Sequence, residues 1–175
     1  MNIETTLEDP SLAVNPDDET GVFEPNLLCR EYISKIESVA EFALLHMGIH
    51  SESDLSITIV NTQRMEELHI EWMDLPGPTD VLSFPMDEMK PNSEKDGPGM
   101  VGDIVLCPDF IGPQAAENGK TILEELSLLT VHGVLHCLGY DHRDKEEELE
   151  MFSLQNSILE KWSSTGLPMN GEMHS

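Results

Sequence analysis

Apolar and polar positions along this chain change period several times, and each change marks an element. Leu55-Ser56-Ile57-Thr58-Ile59-Val60 alternates apolar with polar and then ends apolar, the pattern of a half-buried strand. Upstream, Leu28, Tyr32, Ile36, Val39, Phe42, Ala43 and Met47 recur at helical spacing, with Pro25 near the start and Gly48 at the stop. A second helix is predicted from Thr62 to Trp72, with Met65, Leu68 and Trp72 on one face.

The pattern continues with Pro76-Gly77-Pro78, a rigid turn, and Asp80-Val81-Leu82-Ser83-Phe84, a strand closed by Pro85. A strand bounded by prolines belongs at a sheet edge, because proline cannot donate to a ladder. Pro91 to Gly99 reads as a surface loop and Gly102 to Cys107 as another strand. A short helix passes through Gln114-Ala115-Ala116 and stops near Gly119. Thr121-Ile122-Leu123-Glu124 matches a capping box, so a long helix begins there. The last helix runs from Lys145 to Trp162, starts acidic as its dipole prefers, and carries Leu149, Phe152, Ile158, Leu159 and Trp162. Ile3 to Thr6 suits a short strand. The expected fold is α+β (mixed α/β), a small mixed sheet packed with about five helices. The expected organisation is an acidic segment over residues 1–24, one catalytic domain over 25–162, and a frayed tail over 163–175.

Composition narrows the function. The 175 residues suit one folded core, and no apolar run approaches the roughly 20 residues needed to span a bilayer. No basic n-region or apolar h-region opens the sequence, so a cytoplasmic protein with no membrane partner is expected. Cys29, Cys107 and Cys137 stand at no metal-ligand spacing and read as small buried thiols in a reducing compartment. The formal net charge of −25 opposes non-specific attraction to nucleic acid or anionic membrane.

Chemistry concentrates in the helix from Thr121. It is apolar nearly all round and should be buried at the centre of the fold. His132 and His136 interrupt it four residues apart, which puts both imidazoles on one face. His142 would point elsewhere if the helix continued, but Gly139 can take φ > 0, end the helix and turn the chain back. His132, His136 and His142 can thus hold one zinc ion per chain, with a fourth position left for water, the catalytic rather than the structural pattern. His69 is expected to stand away from the ion.

The string His132-Gly133-Val134-Leu135-His136-Cys137-Leu138-Gly139-Tyr140-Asp141-His142 matches the metzincin signature with one departure. The signature's general-base Glu is replaced by Gly133, which cannot accept a proton, so peptidase chemistry by that route is excluded. An ion there would still lower the pKa of a bound water or polarise a phosphoryl oxygen.

With Pro78-Thr79-Asp80-Val81-Leu82-Ser83-Phe84-Pro85 and Gly102-Asp103-Ile104-Val105, this string resembles the YbeY family of bacterial metal-dependent endoribonucleases. The resemblance runs from Leu27 to Trp162. It implies His132, His136 and His142 as ligands, zinc as the ion, and single-strand-specific cleavage of RNA. It also implies a role in maturation of the 16S rRNA 3′ end and ribosome quality control, with the small ribosomal subunit or assembly proteins as partners. DNA is not an expected substrate.

Many members of that family carry an Arg directly after an aromatic residue, where this chain has Met73 after Trp72. Arg143 and Lys145 are the nearest cations in sequence to take its place, or else are solvated surface charges. Asp80 and Asp141 are candidates to orient a ligand imidazole; Asp80 suits a turn residue opening its strand equally well. The general base is not legible. Two other readings remain open at this point: a hydrolase of another ester or amide, and a non-catalytic ribosome-assembly factor with a structural metal.

Overall fold

The computed structural model describes residues 1–7, 30–73, 79–141 and 143–164. Among these are four strands and five α-helices. They are β1 (Asn2–Leu7), α1 (Arg30–His46), β2 (Asp54–Ile59), α2 (Thr62–Met73), β3 (Val81–Pro85), β4 (Met100–Leu106), α3 (Pro108–Glu117), α4 (Ile122–Cys137) and α5 (Lys145–Ser163). One 3₁₀ turn, Glu94–Asp96, lies in the loop expected before β4. The sheet has the order β1-β2-β4-β3, with β1 parallel to β2, β2 parallel to β4, and β3 antiparallel to β4. This is the small mixed sheet of an α+β fold, and β3 lies at its edge as its flanking proline requires.

The alternation in β2 decides the layering. Leu55, Ile57 and Ile59 are buried on one face, in a core shared with Ile36, Val39, Ala43 and Leu44 of α1 and with Val131, Val134 and Leu135 of α4. On the other face, Val105 of β4 and Leu82 of β3 meet Met65 and Leu68 of α2. There Thr58 Oγ1 donates to Asp103 Oδ1 across the strands at 3.0 Å. Helix α4 begins as its sequence dictates: the Thr121 hydroxyl accepts from Glu124 N–H at 3.1 Å, and Glu124 Oε1 accepts from Thr121 N–H at 2.9 Å.

Exposure varies along two of the apolar helix faces. Trp72 is 61% exposed and packs edge-on against Phe84 of the edge strand, ring centroids 5.7 Å apart. On α5 the buried stripe is Met151, Gln155, Ile158 and Trp162, while Leu149 is 68% exposed. The expectations on residues 8–29, including Pro25 and Cys29, on Pro76 to Pro78, on His142 and on 165–175 lie outside the described residues.

Candidate metal centre

Helix α4 holds both its histidines at one point. The Nε2 atoms of His132 and His136 lie 3.1 Å apart, and the ring planes cross at 76°. Two ligands of a tetrahedral ion, each at about 2 Å, stand about 3.3 Å from one another. The observed separation is of the size that two ligands of one divalent ion would have. Both rings are half-buried and open on a cleft of about 660 Å³ between α4 and β3.

The chain then reverses as the sequence predicts. Leu138 is the C-cap, and Gly139 takes φ +99°. Tyr140 N–H donates to Leu135 O, and Gly139 N–H to His136 O, both at 3.0 Å. These are the two bonds of a Schellman motif, which satisfies carbonyls that the helix end would leave orphaned. Tyr140 and Asp141 are thereby returned to the same cleft.

Gly133 has a packing role. A Cβ built on it would lie 2.9 Å from Ile104 Cγ2 and 3.1 Å from Ser83 Oγ, so α4 rests on β4 and β3 at this residue. A side chain at the metzincin carboxylate position would thus press first against Ile104 and Ser83 of the sheet. Nearby, burial pushes the Cys137 thiol up to about 12, with the Asp103 carboxylate adding to the rise, and burial raises Cys107 as well. Both are free and buried, as expected of small core thiols.

The other candidates are distributed unevenly. Asp80 lines the cleft, but its Oδ1 accepts from Val81 N–H at 2.8 Å and its Oδ2 from Gln114 Nε2 at 3.0 Å. Those bonds make it the turn residue that opens β3. Asp141 and Arg143 line the cleft together, 3.4 Å apart. Arg143 also bonds Glu147 at 3.1 Å, which with Asp141 raises its already high pKa, and its side chain is 76% exposed. His69, expected to stand apart, lines the same cleft from α2. Sequence spacing alone hid this, because the α2 face is brought round by β3.

Two residues were missed. Gln155 of α5 is 6% exposed, and its Oε1 lies 2.9 Å from His132 Nδ1. Its signal was a polar residue inside the apolar stripe Met151, Ile158 and Trp162. Lys90 was the other. A Cβ built on Gly139 would meet its amine at 3.6 Å, which places a cation beside the C-terminus of α4, where the helix dipole favours one.

Residues 24–163 match the family model described as Endoribonuclease YbeY. A protein of that name from Rhodococcus erythropolis is 50% identical over 156 residues, 87% of this chain and 82% of that one. A Mycolicibacterium gilvum protein of the same name is 54% identical over 133 residues, covering 74% of this chain and 75% of that one. A third, from Mycolicibacterium smegmatis, is 49% identical over 156 residues, covering 87% and 83%. The solution structure of TM1509 from Thermotoga maritima matches at 23% identity and a TM-score of 0.49, over 97% of this chain and 96% of that one.

Proposed function

Because this chain belongs to the YbeY family of endoribonucleases, we propose that it cuts single-stranded RNA at the cleft beside α4, with His132, His136 and His142 holding one zinc ion. The observation that carries this reading is the convergence of His132 and His136 Nε2 atoms, 3.1 Å apart, on one open cleft. His142 follows the Schellman turn by three residues and supplies the third imidazole. A bound divalent ion would provide Lewis acidity toward a phosphoryl oxygen and a more acidic water. The chain's own residues orient and exclude. Gln155 holds the His132 ring, Gly133 offers no general base, and Arg143 and Lys90 supply positive charge at the cleft and beside the C-terminus of α4. The biological substrate in this reading is rRNA of the small ribosomal subunit, cut in the cytoplasm at the 16S 3′ end. Among the described residues no helix is long and apolar enough to cross a membrane. The non-catalytic assembly-factor reading and the reading as a hydrolase of another substrate are not favoured by the family membership.

Metal-defined protein incubated in parallel with single-stranded RNA, duplex RNA and casein tests this. Cleavage of the single strand alone is expected. His136→Ala should lose both metal and activity. His50→Ala should keep both, since that ring serves the loop before β2 by accepting from Glu52 N–H at 3.1 Å. Casein cleavage that disappears with the histidines, or a full metal content in His136→Ala, overturns the proposal.

A further inference from the structure

We propose that Gln155 is a positioning residue that fixes the His132 tautomer and does so without adding charge; this rests on the metal-centre reading above. A neutral imidazole carries one N–H. The Gln155 Oε1 atom, 2.9 Å from His132 Nδ1, can only accept. The proton is therefore held on Nδ1, and the Nε2 lone pair is presented to the cleft, where His136 Nε2 lies 3.1 Å away. Phe152, one turn back on α5, has its ring centroid 6.3 Å from that of His132, the planes tilted by 33°.

The placement of Gln155 is costly for the fold and so calls for an explanation. It occupies a core position of α5, between Met151 at 0% exposure, Ile158 at 0% and Trp162 at 1%. An apolar residue of similar size would pack there at least as well, because a buried amide must be fully hydrogen-bonded to break even. The polar side chain is retained at the one position of the stripe that reaches His132.

The choice of an amide over a carboxylate has a consequence. Ligand histidines commonly donate to a carboxylate or a carbonyl oxygen, and a carboxylate raises ligand basicity. A carboxylate would add a negative charge to a site whose substrate is a phosphodiester, in a protein already at −25. The amide supplies the acceptor without adding a further negative charge to a cleft that Asp80 and Asp141 already line.

Two variants separate orientation from charge. Gln155→Leu should keep or raise thermal stability, weaken zinc affinity about 10–100-fold by competition with a chromophoric chelator, and leave His132 in a mixture of tautomers. The tautomers are read by imidazole ¹⁵N NMR on the metal-free protein, where wild type should show His132 protonated on Nδ1. Gln155→Glu should restore the single tautomer and bind zinc at least as tightly as wild type, yet raise KM for RNA several-fold while changing kcat little. Wild-type zinc affinity and tautomer in Gln155→Leu would overturn the proposal, as would a Gln155→Glu protein with zinc binding as weak as Gln155→Leu. Failure of the metal reading is told apart from this, because it shows as no zinc uptake by wild type while the NMR of the metal-free protein still reads the Gln155–His132 bond.

Discussion

Gly133 and Ile104 are in contact across the α4–sheet interface, so closely that a Cβ on the glycine would lie 2.9 Å from Ile104 Cγ2. That atom is fixed to a β-branched stem in the middle of β4 and cannot swing aside as the end of a long side chain would. The same helix carries His132 on one side of Gly133 and His136 a turn further on, so the approach of α4 to the sheet sets the depth of the cleft.

Gly133→Ala is therefore expected to destabilise. Overpacking costs about 1–3 kcal/mol, and removal of a mid-helix glycine returns about 1 kcal/mol. A net loss of about 1 kcal/mol by urea unfolding is the expected outcome. Gly133→Glu restores the metzincin motif in sequence only. It must bury a carboxylate against Ile104 and Ser83, and should lose several kcal/mol without gaining peptidase activity. A stable Gly133→Glu protein that digests casein would show that this interface yields more than the packing allows.

Gly139 answers a different constraint. Among the described residues, the Lys90 amine is the one group near a built Cβ, at 3.6 Å, an ordinary contact distance. The cost of Gly139→Ala is thus conformational, about 1–2 kcal/mol for an L-residue forced to φ +99°. Because the turn at Gly139 leads to His142, zinc affinity should fall together with stability. Gly139→Asn, which tolerates positive φ better, should recover part of both. Equal zinc affinity in all three proteins would detach the turn from the metal site.

The parts of this molecule legible in its sequence are those whose signals are local. The capping box at Thr121, the positive-φ stop at Gly139 and the edge position of β3 each depend on residues within a few positions, and each stands in the structure as expected. The spacing of His132 and His136 is of the same kind. What sequence could not deliver were contacts made across long separations. Gln155 reaches His132 from 23 residues away, and His69 enters the cleft because β3 packs between α2 and α4. On α5, Leu149 and Phe152 are as apolar as the buried Met151, Ile158 and Trp162, so the sequence pattern did not say which face turns inward. Only tertiary packing, which puts Met151 and Gln155 inward, fixes the rotation of that helix.

The Cys137 thiol makes a pH prediction with a definite sign. Its folded pKa is pushed from an ordinary value near 9 up to about 12, chiefly by burial. Between those values the unfolded chain has lost the thiol proton and the folded chain keeps it, so unfolding releases a proton and stability falls as pH rises. Below about pH 9 the contribution is constant; above it, the loss approaches about 1.4 kcal/mol per pH unit for this group. The stability advantage of wild type over Cys137→Ala should accordingly shrink from pH 9 to pH 11. A constant difference between the two proteins over that range would show that the thiol ionises equally in both states. In the native protein at neutral pH neither Cys107 nor Cys137 should react with a water-soluble disulfide reagent.

The charge distribution governs how this protein meets its RNA. Thirty-four carboxylates oppose nine lysines and arginines. Two of those cations are engaged in ion pairs: Arg143 bonds Asp141 and Glu147, and Arg64 bonds Glu67 at 3.3 Å. Exposed pairs of this kind are individually weak, yet each lowers the charge offered to a phosphate. Few phosphates can then be neutralised at once, and the isolated protein should bind single-stranded RNA weakly, with a salt slope corresponding to roughly two to three released ions. Glu147→Gln, which frees Arg143 from one partner at the cleft rim, should tighten binding about two- to fivefold at low salt and steepen the slope slightly, without altering zinc affinity. Arg143→Gln should do the reverse. Added small ribosomal subunits, whose basic proteins complement a surface at −25, should raise the effective affinity far more than either substitution. The measurement is RNA affinity over a salt series for the three proteins, with and without subunits. Tight binding by the protein alone, with a slope of about six ions or more, would reveal a continuous basic track that these ion pairs do not suggest, and would remove the need for a partner to deliver the strand.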